Sequence, residues 1–296
     1  MAGTGPANGS GRLTRGPLNN KRITPMTSAL FIREGQCFLP TQAAGGPWSP
    51  EYLHGGSPAG LLAWQLEQAT ADTGLRLARL SVDLLRPVPA KPLQVEIEVV
   101  RSGRRLRLLA ANLNAEGVTV CRASALYLEQ VPVDIPDFGR FPAETLPRGD
   151  HPAATLVEVA QRQRKTPPLT LPGLHSTAQV GLIDGVDGRG WGRVWMRLPV
   201  PVVAGEPCSS TVQAATLSDF GNGIAQLRVA ENTGSINADI SLYLHREPRG
   251  EWLGLDARSR MEGHGNGLVE TTLYDETGPV GRVLQATLAM PVYAGE

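Results

Sequence analysis

An internal repeat with a spacing of 160 residues limits the possible folds of this chain more than any other feature. When the sequence is shifted by 160 residues, similar side chains stay aligned without a gap over four strand-like segments and their turns. The matched pairs are Ser81 with Ser241, Leu84 with Leu244, Arg86 with Arg246, Leu93 with Leu253, Gly103 with Gly263, Leu108 with Leu268, Leu113 with Leu273, Glu116 with Glu276, Val120 with Val280 and Arg122 with Arg282. Apolar alternation in any two meanders produces some matches, but it does not explain the shared glycine and arginine positions. The sequence therefore predicts two copies of one fold in tandem.

Each copy is predicted to contain two strands, a helix and then four strands. Apolar runs bounded by Gly or Pro mark the strands. After a hairpin at 29–39, the strands of the first copy fall at about 77–87, 91–101, 104–114 and 118–129. Those of the second copy fall at about 175–183, 190–200, 235–246, 251–262, 266–275 and 279–290. The predicted division is a disordered tail at 1–28, a first copy at 29–130, a proline-rich linker at 131–174 and a second copy at 175–296.

The first helix is predicted to follow the segment His54-Gly55-Gly56. Ser57 is a residue type that caps helix starts, and the next residue is a proline, which fits the first turn. The helix is predicted to run to about Asp72, before a glycine ends it.

The second helix is predicted over 208–220, and it places an aspartate just before a glycine-rich stop. Asp219 precedes the segment 221–223, which reads Gly-Asn-Gly. A carboxylate in this place either bonds the backbone of Gly223 at the helix end or faces a site in the interior. Asn237 and Gln285 are two further polar residues in strand-like runs. Each of the three is commonplace alone, and we expect them to meet in one site.

The repeat supplies a comparison for these three residues. At the shift of 160 they correspond to apolar residues of the first copy, namely Gln285 to Ala125, Asn237 to Leu77 and Asp219 to Ala59. A gap between the two helices would change the last of these pairings. If these three residues were ordinary solvent-exposed residues, apolar counterparts at all three positions would be unexpected. One working site in the second copy and one degenerate site in the first copy explain it.

A long helix wrapped by an antiparallel sheet is the hotdog fold, and two such units in one chain resemble the double-hotdog acyl-CoA thioesterases, the type II or TesB-like family. The segment 237–246 resembles the family strand that ends in an "FHR" run, and 283–286 resembles the last strand with its "VQE" glutamine. The segment 54–56 resembles the helix-start motif of hotdog enzymes. The resemblance covers about residue 29 to the C-terminus. It implies an α+β fold, a double hotdog made of two tandem hotdog repeats.

The resemblance also implies an activity, the hydrolysis of acyl-CoA thioesters to free acid and CoA. In that family an Asp, a Thr or Ser, and a Gln orient a nucleophilic water. Here these roles would fall to Asp219, Asn237 and Gln285, and Asn237 departs from the family's hydroxyl residue. An asparagine can still accept from a water or donate to it.

The chemistry of thioester hydrolysis requires a positioned water, a base, and donors for the oxygen that gains charge. Asp219 can accept the proton of the water if it lies within hydrogen-bond reach. Asn237 and Gln285 are neutral, so they can fix the water without neutralising the base. These are the three predicted catalytic residues.

The oxyanion and substrate-binding residues are predicted to be His54, Gly55 and Gly56. The N–H groups at a helix start are unpaired and lie at the favourable end of the helix dipole. Glycine lets the thioester carbonyl approach closely because no side chain intervenes. The backbone near 221–223 is an alternative, although it follows a helix end.

Two other functions remain open at this point. A double hotdog can bind acyl-CoA without hydrolysing it, and the departure at Asn237 keeps that alternative open. A hotdog hydratase or dehydratase uses an Asp/His or Glu/His pair, and the second helix has no histidine near Asp219.

Bulk properties limit the partners. The 296-residue chain has a formal net charge of zero, so a nucleic-acid partner is not expected. No apolar run approaches the ~18 residues of a membrane span, and no apolar signal core opens the chain, which predicts a cytoplasmic protein. The three cysteines are far apart and no metal-ligand spacing occurs, so neither metal nor cofactor is expected. Acyl-CoA is the expected substrate, and the resemblance implies a homodimer or higher homo-oligomer.

Overall fold

The computed structural model describes residues 1–3, 29–141, 143–148, 154–164, 171–229 and 233–291. Most of the predicted tail and parts of the predicted linker lie outside these residues. The first half contains β1 (Phe31–Glu34), β2 (Cys37–Pro40), α1 (Gly56–Gln68), β3 (Arg76–Leu84), β4 (Leu93–Ser102), β5 (Leu106–Ala115) and β6 (Val118–Leu128). After it come β7 (Ala154–Thr155), α2 (Leu156–Arg164), α3 (Leu174–Thr177), β8 (Gln179–Gly185), β9 (Trp191–Arg197), α4 (Ser210–Leu217), α5 (Phe220–Ile224), β10 (Thr233–Asn237), β11 (Asp239–Leu244), β12 (Leu253–Met261), β13 (Asn266–Asp275) and β14 (Gly278–Pro291).

Within the described residues, fourteen strands form one sheet whose ladders are antiparallel. The order is β1-β2-β4-β5-β6-β3-β11-β14-β13-β12-β9-β8-β7, and β10 pairs with β14. The strand order of the second half mirrors that of the first half, with β3 and β11 side by side at the centre. This arrangement confirms the predicted double hotdog. None of the helices in the described ranges is long and apolar enough to cross a membrane.

The pairing of β3 with β11 explains why the repeat has a spacing of 160 residues. Ser81 lies directly opposite its repeat partner Ser241, and the two Oγ atoms are 3.4 Å apart. The two halves are therefore related by an approximate two-fold axis between these serines. The match extends to irregularities, because the ladder shifts register at Leu113/Asn114 in β5 and at the equivalent Leu273/Tyr274 in β13.

The two central helices pack antiparallel against each other inside the sheet. Gly56, near the start of α1, lies against the backbone oxygen of Thr216 near the end of α4. At the other ends, Glu67 of α1 accepts a hydrogen bond of 2.7 Å from Ser209, the N-cap residue of α4. Gly60 faces the Thr216 side chain so closely that a Cβ atom on Gly60 would overlap Thr216 Oγ1. Because glycine adds no side chain, the helices approach each other and fill the space under both halves.

Both predicted helix boundaries need correction. α1 ends at Gln68 rather than near Asp72. Ser57 lies inside the helix instead of capping it, and its Oγ donates to the Ala44 carbonyl at 2.9 Å. The second helix breaks after Leu217, and the glycine-rich segment that was predicted to stop it forms α5 instead.

The described part of the linker at 143–148 packs on the outer face of the second half's sheet. Trp195 projects outward from β9, and its Nε1 donates to the Pro147 carbonyl at 2.9 Å. Leu146 is buried and lies over Gly254 of β12. This segment therefore covers a tryptophan that the sheet would otherwise expose. The described residues of the linker also include the short helix α2.

The contact between Gly60 and Thr216 can be tested by its effect on stability. We expect Gly60→Ala to lower the free energy of unfolding by about 1–3 kcal/mol, because the new Cβ overlaps Thr216 Oγ1 and lies 3.2 Å from Thr216 Cβ. Alanine is the better helix former, so helix propensity alone would change stability in the opposite direction. Thr216→Ala in the same chain should recover most of the loss, and urea unfolding of the parent, both single variants and the double variant measures this coupling. A loss of stability that Thr216→Ala leaves in place would contradict the assignment.

Candidate active site

The three predicted catalytic residues come together around the carboxylate of Asp219. Its Oδ1 accepts a hydrogen bond of 2.7 Å from Asn237 Nδ2 and lies 3.4 Å from Gln285 Nε2. Its Oδ2 lies 2.9 Å from Nδ1 of His54, which belongs to the first half. Both halves of the chain therefore contribute to one cluster.

A break between two helices positions Asp219. α4 ends at Leu217, where the Ser218 hydroxyl turns back to the Ala214 carbonyl at 2.7 Å. Asp219 then occupies the N-cap position of α5, but its side chain makes no capping hydrogen bond. The carboxylate instead points away from its own helix. Of the two roles expected for Asp219, this placement fits the one in which the carboxylate faces a site in the interior.

The sheet positions the two amide residues. Gln285 is fully buried on the inner face of β14, where every second residue points toward the helices. Asn237 is the last residue of β10 and lies opposite Thr287 of β14 on the same face. The chain changes from β10 to β11 at Ala238, whose N–H donates to the Ala286 carbonyl at 2.9 Å. These strands carry both amides to the underside of the break after α4.

The start of α1 lies on the other side of the carboxylate. The Cα of Gly55 is so close that a Cβ atom there would lie 2.7 Å from Asp219 Oδ2. The backbone N–H of Gly56 donates to the Asp219 carboxylate and lies 3.2 Å from His54 Nδ1. Because a carboxylate oxygen only accepts, Nδ1 of His54 must carry the proton that faces it. When Nδ1 carries this proton, the backbone N–H of Gly56 donates to the carboxylate and not to His54. The carboxylate then lies at the positive end of the α1 dipole.

His54 is held between two rings. Its ring stacks on Phe220 of α5, with centroids 4.7 Å apart, and faces His175 of α3 at 6.4 Å. His175 is buried, and its Nε2 lies 3.0 Å from the Leu171 carbonyl. Burial, assisted by the nearby His54, lowers the pKa of His175 to about 4. His175 is therefore neutral near pH 7 and adds no charge to the cluster.

Asp219 is ionised at neutral pH although it is buried. Burial is the largest single influence and by itself raises the pKa. The hydrogen bond and charge of His54, together with hydrogen bonds from Asn237 and Gly56, outweigh burial and hold the pKa of Asp219 below its usual value. The cluster thus stabilises a carboxylate that can accept a proton.

The amides also leave two acceptors unpaired. Since Nδ2 of Asn237 and Nε2 of Gln285 face the carboxylate, Oδ1 of Asn237 and Oε1 of Gln285 face away from it. Both oxygens are buried and have no hydrogen-bond partner among the described residues. A water bound beside Oδ1 of Asp219 could donate one hydrogen to the carboxylate and the other to an amide oxygen. Its lone pair would then be free for attack.

The first half lacks this arrangement at the same positions. Leu77 and Ala125 are buried where the second half has Asn237 and Gln285. The pairing of Asp219 with Ala59 is wrong, however, because aligning Gly56 with Ser210, the first residues of α1 and α4, needs a shift of 154. That shift pairs Asp219 with Gln65, which is polar.

Several residues of the cluster were missed by the sequence reasoning. Thr271 and Thr287 lie on the inner face beside Gln285 and are buried, and Phe220 stacks on His54. A signal for the threonines was present, since they alternate with outward-facing residues in β13 and β14. His175 gave no such signal because only the tertiary fold brings α3 to the start of α1.

No group of three or more His, Cys, Asp or Glu side chains suited to a metal occurs in the described part of the chain.

Known solved structures share this architecture. An acyl-CoA thioesterase II, TesB2, from Mycobacterium marinum has 21% sequence identity and a TM-score of 0.56, with 82% of this chain and 91% of that chain covered. A tesB protein from Mycobacterium avium subs paratuberculosis has 18% identity and a TM-score of 0.59, covering 88% and 96%. A conserved protein of unknown function with the hot dog fold from Alicyclobacillus acidocaldarius has 17% identity and a TM-score of 0.63, covering 88% and 95%. At such identities the likeness shows the fold alone.

Sequence comparison identifies the family. The comparison with curated proteins gave no match. The model of the acyl-CoA thioesterase N-terminal domain matches residues 44–128, and the model of the acyl-CoA thioesterase C-terminal domain matches residues 144–289. Together these matches span most of the chain and include every residue of the Asp219 cluster. The chain is therefore a member of the acyl-CoA thioesterase family, a thioester hydrolase built as a double hotdog.

Proposed function

We propose that this protein hydrolyses acyl-CoA thioesters with a water activated by Asp219 and oriented by Asn237 and Gln285. The observation that carries the proposal is the buried, ionised Asp219 carboxylate, which both amide nitrogens face while their oxygens stay unpaired. A buried base with two nearby acceptors is what a nucleophilic water requires.

The proposed reaction uses only groups of the cluster. The water oxygen forms a bond to the thioester carbonyl carbon while Asp219 takes a proton from the water. The carbonyl oxygen becomes negative in the tetrahedral intermediate, and the backbone N–H of Gly55, at the positive end of α1, is the candidate donor. The C–S bond then breaks, and the sulfur leaves as the thiolate of CoA. Asp219 gives the proton that it took from the water to this thiolate. The products are the free acid and CoA.

His54 acts as a positioning residue in this scheme. Its Nδ1–H holds Oδ2 of Asp219 at 2.9 Å, and the stack on Phe220 fixes its ring. With Oδ2 occupied, Oδ1 is the oxygen that faces the amide pair and the water. The 3.4 Å separation between Oδ1 and Gln285 Nε2 leaves this oxygen open to a further partner.

One observation favours a second candidate, a hotdog hydratase or dehydratase. The aspartate–histidine pair that such enzymes use is not present within the second helix, but the first half supplies His54 beside Asp219. The products separate the two reactions. A thioesterase releases a free thiol, whereas a hydratase forms or removes a carbon–carbon double bond and leaves the thioester intact.

The role of Asp219 can be tested by free-thiol release from a panel of acyl-CoA esters with short to long chains. We expect Asp219→Ala to lower kcat/KM by about 10²-fold or more, because the general base is lost. Glu67→Ala is the matched control, since Glu67 is the carboxylate near the corresponding end of α1 and bonds Ser209 instead. This control should keep the parent's rate.

Other outcomes of the same assay have definite meanings. An equal rate for Asp219→Ala and the parent would contradict the assigned base and leave the fold unaffected. Absence of thiol release from every ester, with saturable binding of an acyl-CoA, would identify a binding protein instead of an enzyme.

The contact between Asn237 and Asp219 predicts a change in pH dependence. The pKa of Asp219 is held below its usual value, so the parent should keep its activity on the acid side down to pH values below the usual titration range of an aspartate. Asn237→Asp places a second carboxylate at this 2.7 Å contact, which raises the apparent pKa of the pair. The acid limb of kcat/KM against pH should therefore move upward by about one unit or more.

The control for this experiment is Asn266→Asp, which adds the same charge at an exposed position of the same half. Its acid limb should coincide with that of the parent. If Asn237→Asp also coincides with the parent, the Asn237 amide does not set the pKa of the base.

A further inference from the structure

Four buried polar atoms on the inner face of the second half have no hydrogen-bond partner among the described residues. They are Thr271 Oγ1, Thr287 Oγ1, Gln285 Oε1 and Asn237 Oδ1, and we call these four residues the polar row. Thr271, Gln285 and Thr287 are 2%, 0% and 4% exposed. Native proteins rarely leave buried polar atoms unpaired, because such an atom has lost its hydrogen bonds to water without gaining others. A bound group with its own polar atoms is therefore expected at this place.

The polar row is continuous across three strands. Thr287 of β14 lies opposite Asn237 of β10, and Gln285 is two residues earlier on the same face of β14. Thr271 of β13 lies opposite Val283 and so neighbours Gln285 diagonally. Gly221 of α5 lies against both, since a Cβ atom there would be 2.5 Å from Thr271 Oγ1 and 2.7 Å from Gln285 Oε1. The row therefore begins at the Asp219 cluster and extends beneath α5.

The first half shows that the fold does not require these polar groups. At the shift of 160, the equivalent positions are Leu77, Ala111, Ala125 and Tyr127. The first three are buried apolar residues, and the hydroxyl of Tyr127 is hydrogen-bonded to Thr70. At these four positions the first half therefore has no unpaired polar side-chain atom, although Trp64 Nε1 of α1 is buried and unpaired elsewhere in that half. Unpaired hydroxyl groups at these positions occur at 271 and 287, in the half that carries Asp219.

We propose that the polar row recognises a hydroxyl group on the acyl chain close to the thioester carbon, so that hydroxyacyl-CoA esters are preferred to unsubstituted acyl-CoA esters. This inference rests on the proposed function, because it assigns a substrate class to the same site. The attacking water donates to one amide oxygen, so the other amide oxygen and the two threonine hydroxyls still lack partners. A ligand hydroxyl can donate to this remaining amide oxygen and accept from a threonine. An alkyl chain would leave all three of these atoms unpaired.

Two atoms of the row, Thr271 Oγ1 and Gln285 Oε1, are covered by α5, a helix of five residues with two glycines that follows the break at Asp219.

The test compares two substrates and three variants. Thiol release from 3-hydroxybutanoyl-CoA and butanoyl-CoA is measured for the parent, Thr271→Val, Thr287→Val and Thr272→Val. Valine keeps the shape of threonine, and urea unfolding checks that each variant is folded. Thr272→Val is the matched control, because Thr272 is the next residue of β13 and its side chain is on the outer face near Arg282.

We expect the parent to favour the hydroxy ester in kcat/KM by about 10-fold or more, since a site with unpaired polar groups rejects the analogue that lacks the hydroxyl. Thr271→Val or Thr287→Val should reduce this preference at least about 5-fold by slowing the hydroxy ester alone. Thr272→Val should retain the preference. A parent without preference, unchanged variants, or equal losses for both esters would overturn the inference. Equal losses would instead assign the row to the pantetheine arm or to the attacking water.

A binding measurement separates this inference from the proposed hydrolysis. Calorimetry with thioether analogues of the two esters, in which the carbonyl is replaced by a methylene group, needs no turnover. Tighter binding of the hydroxy analogue that Thr271→Val or Thr287→Val abolishes would support the polar row even if no ester is hydrolysed. Equal affinities of the two analogues for the parent and its variants would overturn it, whatever the activity.

Discussion

Close contact between α1 and α4 is the constraint on which the rest of the structure depends. The helices run antiparallel, and glycines at 56 and 60 let α1 lie directly against Thr216. This crossing brings the start of α1 to the break after α4, so His54 of the first half meets Asp219 of the second half. A larger side chain at Gly60 would separate the helices and with them the two sides of the cluster. Helix packing and site geometry are thus parts of one arrangement.

Asp219 shows how a buried charge is kept in such an interior. Removing a carboxylate from water is unfavourable, and burial is the largest influence on its pKa. Donors from three directions compensate, namely the ring of His54, the amide of Asn237 and the backbone of Gly56. Two of these three lie at the start of α1, whose dipole favours a negative charge. An ionised carboxylate in a largely buried site is the electrostatic setting that the proposed activation of a single water requires.

The two halves pair their strands in the same register, but they carry different side chains at equivalent positions of the inner face. The same ladder shift occurs in β5 and β13, and Ser81 faces Ser241 across the axis. On the inner face, Leu77 and Ala125 of the first half close the core where Asn237 and Gln285 of the second half surround a carboxylate. The fold requires only that these positions be buried. Whether they are apolar or polar is free to vary, and this freedom allows one half to carry apolar residues at these positions and the other to carry the Asp219 cluster.

The sequence by itself determined the repeat, most of the strands, the family resemblance and three residues that the structure brings together, because alternation and turns are local properties. The predicted strand 235–246 is divided into β10 and β11, and the pairing register of the strands came from the structure. The sequence reasoning was wrong about the cap at Ser57, about the end of the second helix and about the pairing of Asp219 with Ala59. Local propensity placed a stop at the glycines, whereas packing against the sheet makes them helical. Only the tertiary structure decided that His54 faces Asp219 and that the polar row lies beneath α5, because both depend on the crossing of two helices that are far apart in the chain.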